Sequence, residues 1–340
     1  MISPSAMDTL LASLPAVLGF YPDASVFFTP LTRSAADSDQ TIVPFTARAD
    51  LANVLADPGH FVHGATTAAR DITAEEVVLV VTGSTREDKK PPAKETIAPL
   101  REGLRHHGYP QVEAVHLAGF VAGARWFSYD DPRRHGTLPD PRNSAATVQT
   151  VLNGDVIYES RAELAALFTP APQEDRDRLA SLIATVAAAV TDEESRHDLP
   201  ALQARLARLD QAVTDAAHGT LPDTDEKLAD LIGAFACVLM RDALLITPGK
   251  HARAAEELWL TLWKLAPEPM SDRLAAVLMT HACHRGHGAL ALVAADAASR
   301  SERLVTLLLC AVQQGVAFTR IKDMLHRAVS ATRASFGHTH

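Results

Sequence analysis

The strand signal in this 340-residue chain lies before residue 130 and disappears beyond the connection at 130–142, where helical spacing takes over. Leu14 to Leu31 brings the chain into its first sheet. Gly19 and Pro22 mark a tight turn there, and Ser25-Val26-Phe27-Phe28-Thr29 has the β-branched and aromatic composition of a buried strand. Thr41 to Ala47 is strand-like but interrupted by Pro44, which fits an edge strand or a bulge. Glu76 to Val81 is an almost unbroken Val/Leu run, as expected of a strand covered on both faces. Val112 to Leu117 and Ala124 to Tyr129 read as a last hairpin, with Gly119 and Gly123 in its turn.

Helical spacing separates these runs. Asp50 can cap a helix running to about Arg70, and a second helix over Ala93 to His107 is stopped by Gly108 and Pro110. Strands alternating with helices need crossover connections. We therefore expect an α/β (α+β) N-terminal domain over 1–142 with a mixed sheet of four to five strands.

Asp130 to Arg142 is rich in Pro, Asp, Arg and Gly and reads as an irregular connection. Helices follow over Asn143–Leu152, Arg161–Phe168, Gln173–Val190, Leu199–His218, Thr224–Ile246, Ala252–Leu265, Ser271–Arg285, Ala289–Ala297, Ser301–Gln314 and Thr319–Arg333. Small residues at 286–297 allow close helix contact, and Trp259 and Trp263 four apart read as helix-helix core. An all-α domain over 143–333 is expected, as a bundle or a short TPR-like array, then a disordered tail over 334–340.

Charge and composition narrow the function. The formal net charge is −9, which disfavours a nucleic-acid surface, because such a surface needs a basic stripe to neutralise phosphates. Cys237, Cys283 and Cys310 sit in apolar helical patterns and read as small core residues of a reducing compartment. The first fourteen residues lack Lys and Arg, and no apolar run approaches the roughly 20 residues of a membrane span. A cytoplasmic protein is expected, with neither nucleic acid nor membrane as partner.

Several blocks carry a family resemblance: LPAVLGFYPDASVFF from Leu14, the step Ala47-Arg48-Ala49-Asp50-Leu51, GARWFSY at 123–129, NGDVIYESRAELAALFTP at 153–170, LMRDALL at 239–245, Leu258-Trp259, and HRGHGALALVAADAA at 284–298. In this order they resemble the actinobacterial family known as domain of unknown function 4192, from about Leu10 to Val329. The resemblance implies source and architecture and assigns no reaction. Members of that family often carry a Cys-Cys-Pro step after the Trp-x-Ser block. Here Asp130-Asp131-Pro132-Arg133-Arg134-His135-Gly136 stands in its place, so no metal or redox role carries over.

The residues that could bind something are few. Arg48 and Asp50 fall where a strand hands over to a helix, and Ser84 follows the next strand; the carboxyl ends of strands are the usual ligand site in open α/β sheets. A small anion held by Arg48, Asp50, Ser84 and Arg125 is one reading, and a structural Arg-Asp pair with a helix cap is the more economical one. Asp23 and Ser25 at a turn are expected to bond local backbone. His281, Cys283, His284 and His287 are the densest set of metal-ligand types, but lack a carboxylate or a second cysteine pair to complete four ligands. They read as adventitious or surface residues, as do His60, His63 and the His338-Thr339-His340 tail. No Walker loop, G-x-G-x-x-G, G-x-S-x-G or H-E-x-x-H occurs. No cofactor is expected. We expect a non-catalytic interaction or regulatory protein that binds a protein partner or itself; the alternative is an enzyme or small-ligand sensor for an anionic metabolite.

Overall fold

Ser25–Arg33 forms β1, the strand on which the first sheet is assembled; its first seven residues are buried. The computed structural model describes residues 2–33, 41–74, 76–83, 94–247, 249–299, 301–313, 316 and 318–337. The chain makes two compact units, Met1–Arg161 with Ala311–Ala317 and Ala162–Cys310 with Phe318–His340.

In the first unit, β1 is flanked on one edge by two short strands, β2 (Thr41–Ile42) and β3 (Ala47–Asp50), and on the other by β4 (Glu76–Thr82). The edge breaks around Pro44, which cannot donate to the ladder. β4 pairs in parallel with β5 (Val112–Leu117), and β6 (Arg125–Ser128) and β7 (His135–Thr137) continue antiparallel. Seven strand segments thus occupy the order β2-β1-β4-β5-β6-β7, with β3 beside β1. The expected four to five strands were too few. β7 lies inside the segment read as irregular, because His135-Gly136-Thr137 is too short to show a period of two.

All seven residues of β4 are buried because both faces of the sheet are covered. On one face Phe27, Val78, Val80 and Val115 pack with Met7, Leu11 and Leu14 of α1 (Pro4–Leu18). On the other, Val26, Phe28, Leu79 and Val81 pack with Val62 and Ala65 of α3 (Pro58–Ala68) and Leu100 and Leu104 of α4 (Lys94–His106). Each Phe or Leu buried this fully contributes about 1.5–3 kcal/mol.

The helix expected over 50–70 is two helices. α2 (Leu51–Ala56) ends at Asp57, and Pro58 opens α3, whose backbone His60 N–H is capped by Asp57 Oδ1 at 2.9 Å. A residue before proline is kept out of the α region, which explains the break. Ala145–Leu152 forms α5, which packs on α1.

In the second unit the described residues form helices: α6 (Arg161–Ala166), α7 (Gln173–Ser195), α8 (Leu199–Ala217), α9 (Asp225–Ala234), α10 (Val238–Ala243), α11 (Ala252–Leu265), α12 (Met270–Arg285), α13 (Gly288–Asp296), α14 (Arg303–Gln313) and α15 (Phe318–Ser335), with α6 and α14 each crossing its limits. The helix expected over 224–246 breaks between α9 and α10, where Arg273 Nη1 donates to the carbonyls of Phe235, at 2.6 Å, and Ala236. Those two acceptors lie at the break between the helices, and a half-buried arginine satisfies them. Trp259 and Trp263 are core residues, edge-on to Phe235 and Phe168 respectively. At the C-terminus α15 continues through Ala334 and Ser335, and Phe336 is fully buried. His338, Thr339 and His340 lie outside the described residues.

Candidate functional site

Because β3 and β4 both run antiparallel to β1, and β5 runs parallel to β4, the carboxyl ends of β3, β4 and β5 meet at one edge of the sheet. Asp50, Thr82 and Leu117 end there, and Ser25 and Arg125 begin their strands there.

Arg48 stands opposite Phe27 in the ladder and shares its face. Its Nε donates to Ser25 Oγ at 2.9 Å, its Nη2 to Asp50 Oδ1 at 2.5 Å, and its guanidinium lies 5.7 Å from the centre of the Phe20 ring. The Arg48 side chain is 13% exposed and that of Asp50 56%. Asp50 occupies the N-cap position of α2 but makes no side-chain cap, because its carboxylate is turned to Arg48.

Ser25 is fully buried, and its hydroxyl donates to the Asp23 carbonyl at 2.7 Å. Thr82 Oγ1 accepts from Ser25 N–H and donates to the same carbonyl, each at 3.0 Å. Local backbone bonding is therefore what Ser25 does. Arg48, Ser25, Thr82 and Asp50 are thus linked through one hydrogen-bonded corner.

Arg125 is exposed and opposes Thr137 of β7. Four strand intervals separate it from Arg48, about 19 Å at roughly 4.8 Å per strand, so the two cations do not converge. Ser84 lies outside the described residues.

One residue at this edge escaped the sequence reading. His116 of β5 is 1% exposed, its Nε2 is 3.1 Å from the Gly83 carbonyl, and its ring stacks 4.9 Å from Phe127 with Tyr129 edge-on at 6.4 Å. Its Nδ1 is buried and without a partner among the described residues. Burial lowers its pKa against the opposing Gly83 bond, and burial raises that of Tyr129. A neutral imidazole donating from Nε2 keeps a bare lone pair on Nδ1. A histidine inside the apolar run Val-Glu-Ala-Val-His-Leu was the available signal.

The histidines of the second unit do not act together. His281 is buried, with Nε2 directed at the Leu244 carbonyl at 3.1 Å, and burial lowers its pKa to about 4. His284 instead meets His326 of α15, ring centres 5.1 Å apart, and His287 follows the left-handed Gly286 that ends α12. Cys283 is buried, its thiol pushed up to about 11. Among the described residues no three His, Cys, Asp or Glu side chains gather as a metal set. His60 belongs to the start of α3, and His63 lines a groove beside α4.

No helix among the described residues is long and apolar enough to cross a membrane. No curated protein and no solved structure matches the chain. The block order noted from Leu14 to Ala298 agrees with a family model that spans residues 8–317, and the chain belongs to that family, described as domain of unknown function (DUF4192).

Proposed function

We propose that this protein acts by protein–protein contact, as a non-catalytic interaction or regulatory protein of the cytoplasm, and that α5 carries its docking face for a second copy of the chain. The observation behind this is the outer side of α5. Val148, Val151 and Leu152 are 49%, 60% and 75% exposed, at the i, i+3, i+4 spacing of one helix face. Val156, just beyond, is 49% exposed. Monomers rarely leave such a stripe to water.

The helix sequence AATVQTVL has no charged residue. In a chain of net charge −9, that neutral face can lie against its own two-fold copy without like-charge repulsion. The knot of Arg48, Asp50, Ser25 and Thr82 supports a non-catalytic reading, since its groups are already engaged with one another. Free thiols at Cys237, Cys283 and Cys310 are compatible with a reducing compartment. We read the second unit as a helical bundle or short TPR-like array; the contacts of α11 with α12 and of α12 with α13 support it.

Sedimentation velocity over a concentration series tests this. The wild type should associate, and Leu152→Asp, at an exposed site, should sediment as a monomer with an unchanged melting temperature. A wild type that stays monomeric throughout, or a variant that associates as well as the wild type, would overturn the docking role of α5.

A second reading, an anionic metabolite at the carboxyl edge, is favoured by Arg125, whose guanidinium has no ion pair among the described residues. Arg48, already bonded to Asp50, would serve that ligand only by exchanging partners. Thermal stabilisation by a carboxylate or phosphate metabolite that disappears in Arg125→Ala would favour it.

A further inference from the structure

We propose that the groove between α3 and α4, at the opposite end of the sheet from Arg48, binds a small phosphomonoester. The helices approach closely where Gly103 meets Val62; a Cβ on Gly103 would sit 3.1 and 3.2 Å from the two Val62 methyl groups. That approach sets the next residues of each helix side by side. From α3 and the turn after it come His63, Thr66, Thr67 and Arg70, at the spacing i, i+3, i+4, i+7. From the turn that follows α4 comes His107, four residues after Gly103. Between them lies an open groove of about 460 Å³, with Ile72, Ala74 and Tyr109 as its apolar part.

Its lining has hydrogen-bond donors and no carboxylate. Arg70 is exposed and its guanidinium has no ion pair among the described residues. Arg48, Arg101, Arg134, Arg205 and Arg333, by contrast, each hold a carboxylate. The His107 Nδ1–H donates to the Gly103 carbonyl at 2.9 Å, which leaves Nε2 as the ring nitrogen open to a ligand, a donor only in the imidazolium form. Thr67 and Thr73 add hydroxyls.

Both helices end here, and free terminal carbonyls would repel an anion. Several of them are taken up locally. Ala69 N–H goes to Ala65, Arg70 to Thr67, Ile72 to Ala69, Gly108 to Arg105 and Tyr109 to Leu104.

The guanidinium fork of Arg70 matches two phosphate oxygens, and the Thr67 and Thr73 hydroxyls beside it can reach a third, which a planar carboxylate lacks. The volume exceeds that of phosphate alone, so a short carbon skeleton has room on the apolar part. This site stands independently of α5 and of the carboxyl edge.

Calorimetric titration of the full chain with ribose 5-phosphate, inorganic phosphate, ribose and succinate, at matched ionic strength, tests the assignment. Ribose 5-phosphate should bind saturably, and ribose should not bind. Arg70→Ala should weaken binding about tenfold or more, as loss of a bidentate charged contact requires. Arg105→Ala, an exposed arginine of α4 outside the groove, should leave affinity unchanged. Absence of saturable phosphate binding, equal affinity for succinate, or an Arg70→Ala variant that binds like the wild type would overturn it.

Discussion

The indole Nε1 of Trp126 donates a 2.6 Å hydrogen bond to Oδ1 of Asp8, across 118 residues of chain. Trp126 is fully buried on the face of the sheet that α1 covers, so this bond ties the N-terminal helix to β6. Gly136 of β7 completes the contact. A Cβ there would lie 2.6 Å from the indole nitrogen and 2.9 Å from the Asp8 oxygen. Asp8→Ala strands a buried donor and should cost about 1–3 kcal/mol. Gly136→Ala should cost at least as much, because backbone or indole must move. Urea unfolding followed by tryptophan fluorescence checks both, and a midpoint unchanged in either variant would count against the packing described.

The thiols should divide sharply by accessibility. Cys237 and Cys283 are buried, each with its thiol pushed up to about 11 by burial, whereas Cys310 is exposed. Thiolate is the reacting form, so burial slows modification twice, through access and through ionisation. With an aromatic disulfide reagent at pH 8, one thiol should react rapidly in the native protein and three in guanidinium. Cys310→Ser should abolish the fast phase.

Gly233 of α9 faces Val186 of α7, and a Cβ there would meet the valine Cγ1 at 2.6 Å and Cβ at 2.7 Å. Alanine gains up to about 1 kcal/mol over glycine in a helix interior. The clash should exceed that gain, so Gly233→Ala should be destabilising by about 1–3 kcal/mol. In a Val186→Ala background the contact with Cγ1 is gone and that with Cβ remains, so the same change should cost less without becoming neutral. A double-mutant cycle from denaturant midpoints reads the coupling, and additivity would refute the contact.

What the chain made legible followed from local patterns. The Val-Val-Leu-Val-Val run of β4, Pro44 in the edge strand and Gly286 after α12 each act within a few residues, so a period or a breaker reveals them. Long-range pairings leave no such trace. Arg134 reaches Glu113 at 2.7 Å, and nothing near Arg134 announces that partner. The same holds for the site. Arg48 and Asp50 were legible as neighbours on a strand, but their 2.5 Å bond, and the four strand intervals that keep Arg125 away, depend on strand order. The stripe His63, Thr66, Thr67, Arg70 had a helical period, yet it became a groove wall only once α4 was set beside it.

His281 should make the helical unit sensitive to acid. Its ring is buried, Nε2 faces the Leu244 carbonyl at 3.1 Å and Thr247 Oγ1 at 3.4 Å, and burial holds its pKa at about 4, against an ordinary value near 6.5. Between those two values the unfolded chain takes up a proton that the folded one refuses. Stability is therefore fully present above about pH 6.5 and falls as pH drops toward 4, with a slope approaching about 1.4 kcal/mol per pH unit for this group. His287, whose pKa burial also lowers to about 4, acts in the same direction. His281→Gln retains a donor for the Leu244 carbonyl and removes the titration. Urea unfolding from pH 7.5 to 5 should then show the variant closing on, or overtaking, the wild type as pH falls, and the double variant with His287→Gln should flatten the profile further. Parallel profiles for wild type and His281→Gln would mean that the buried imidazole is not held neutral.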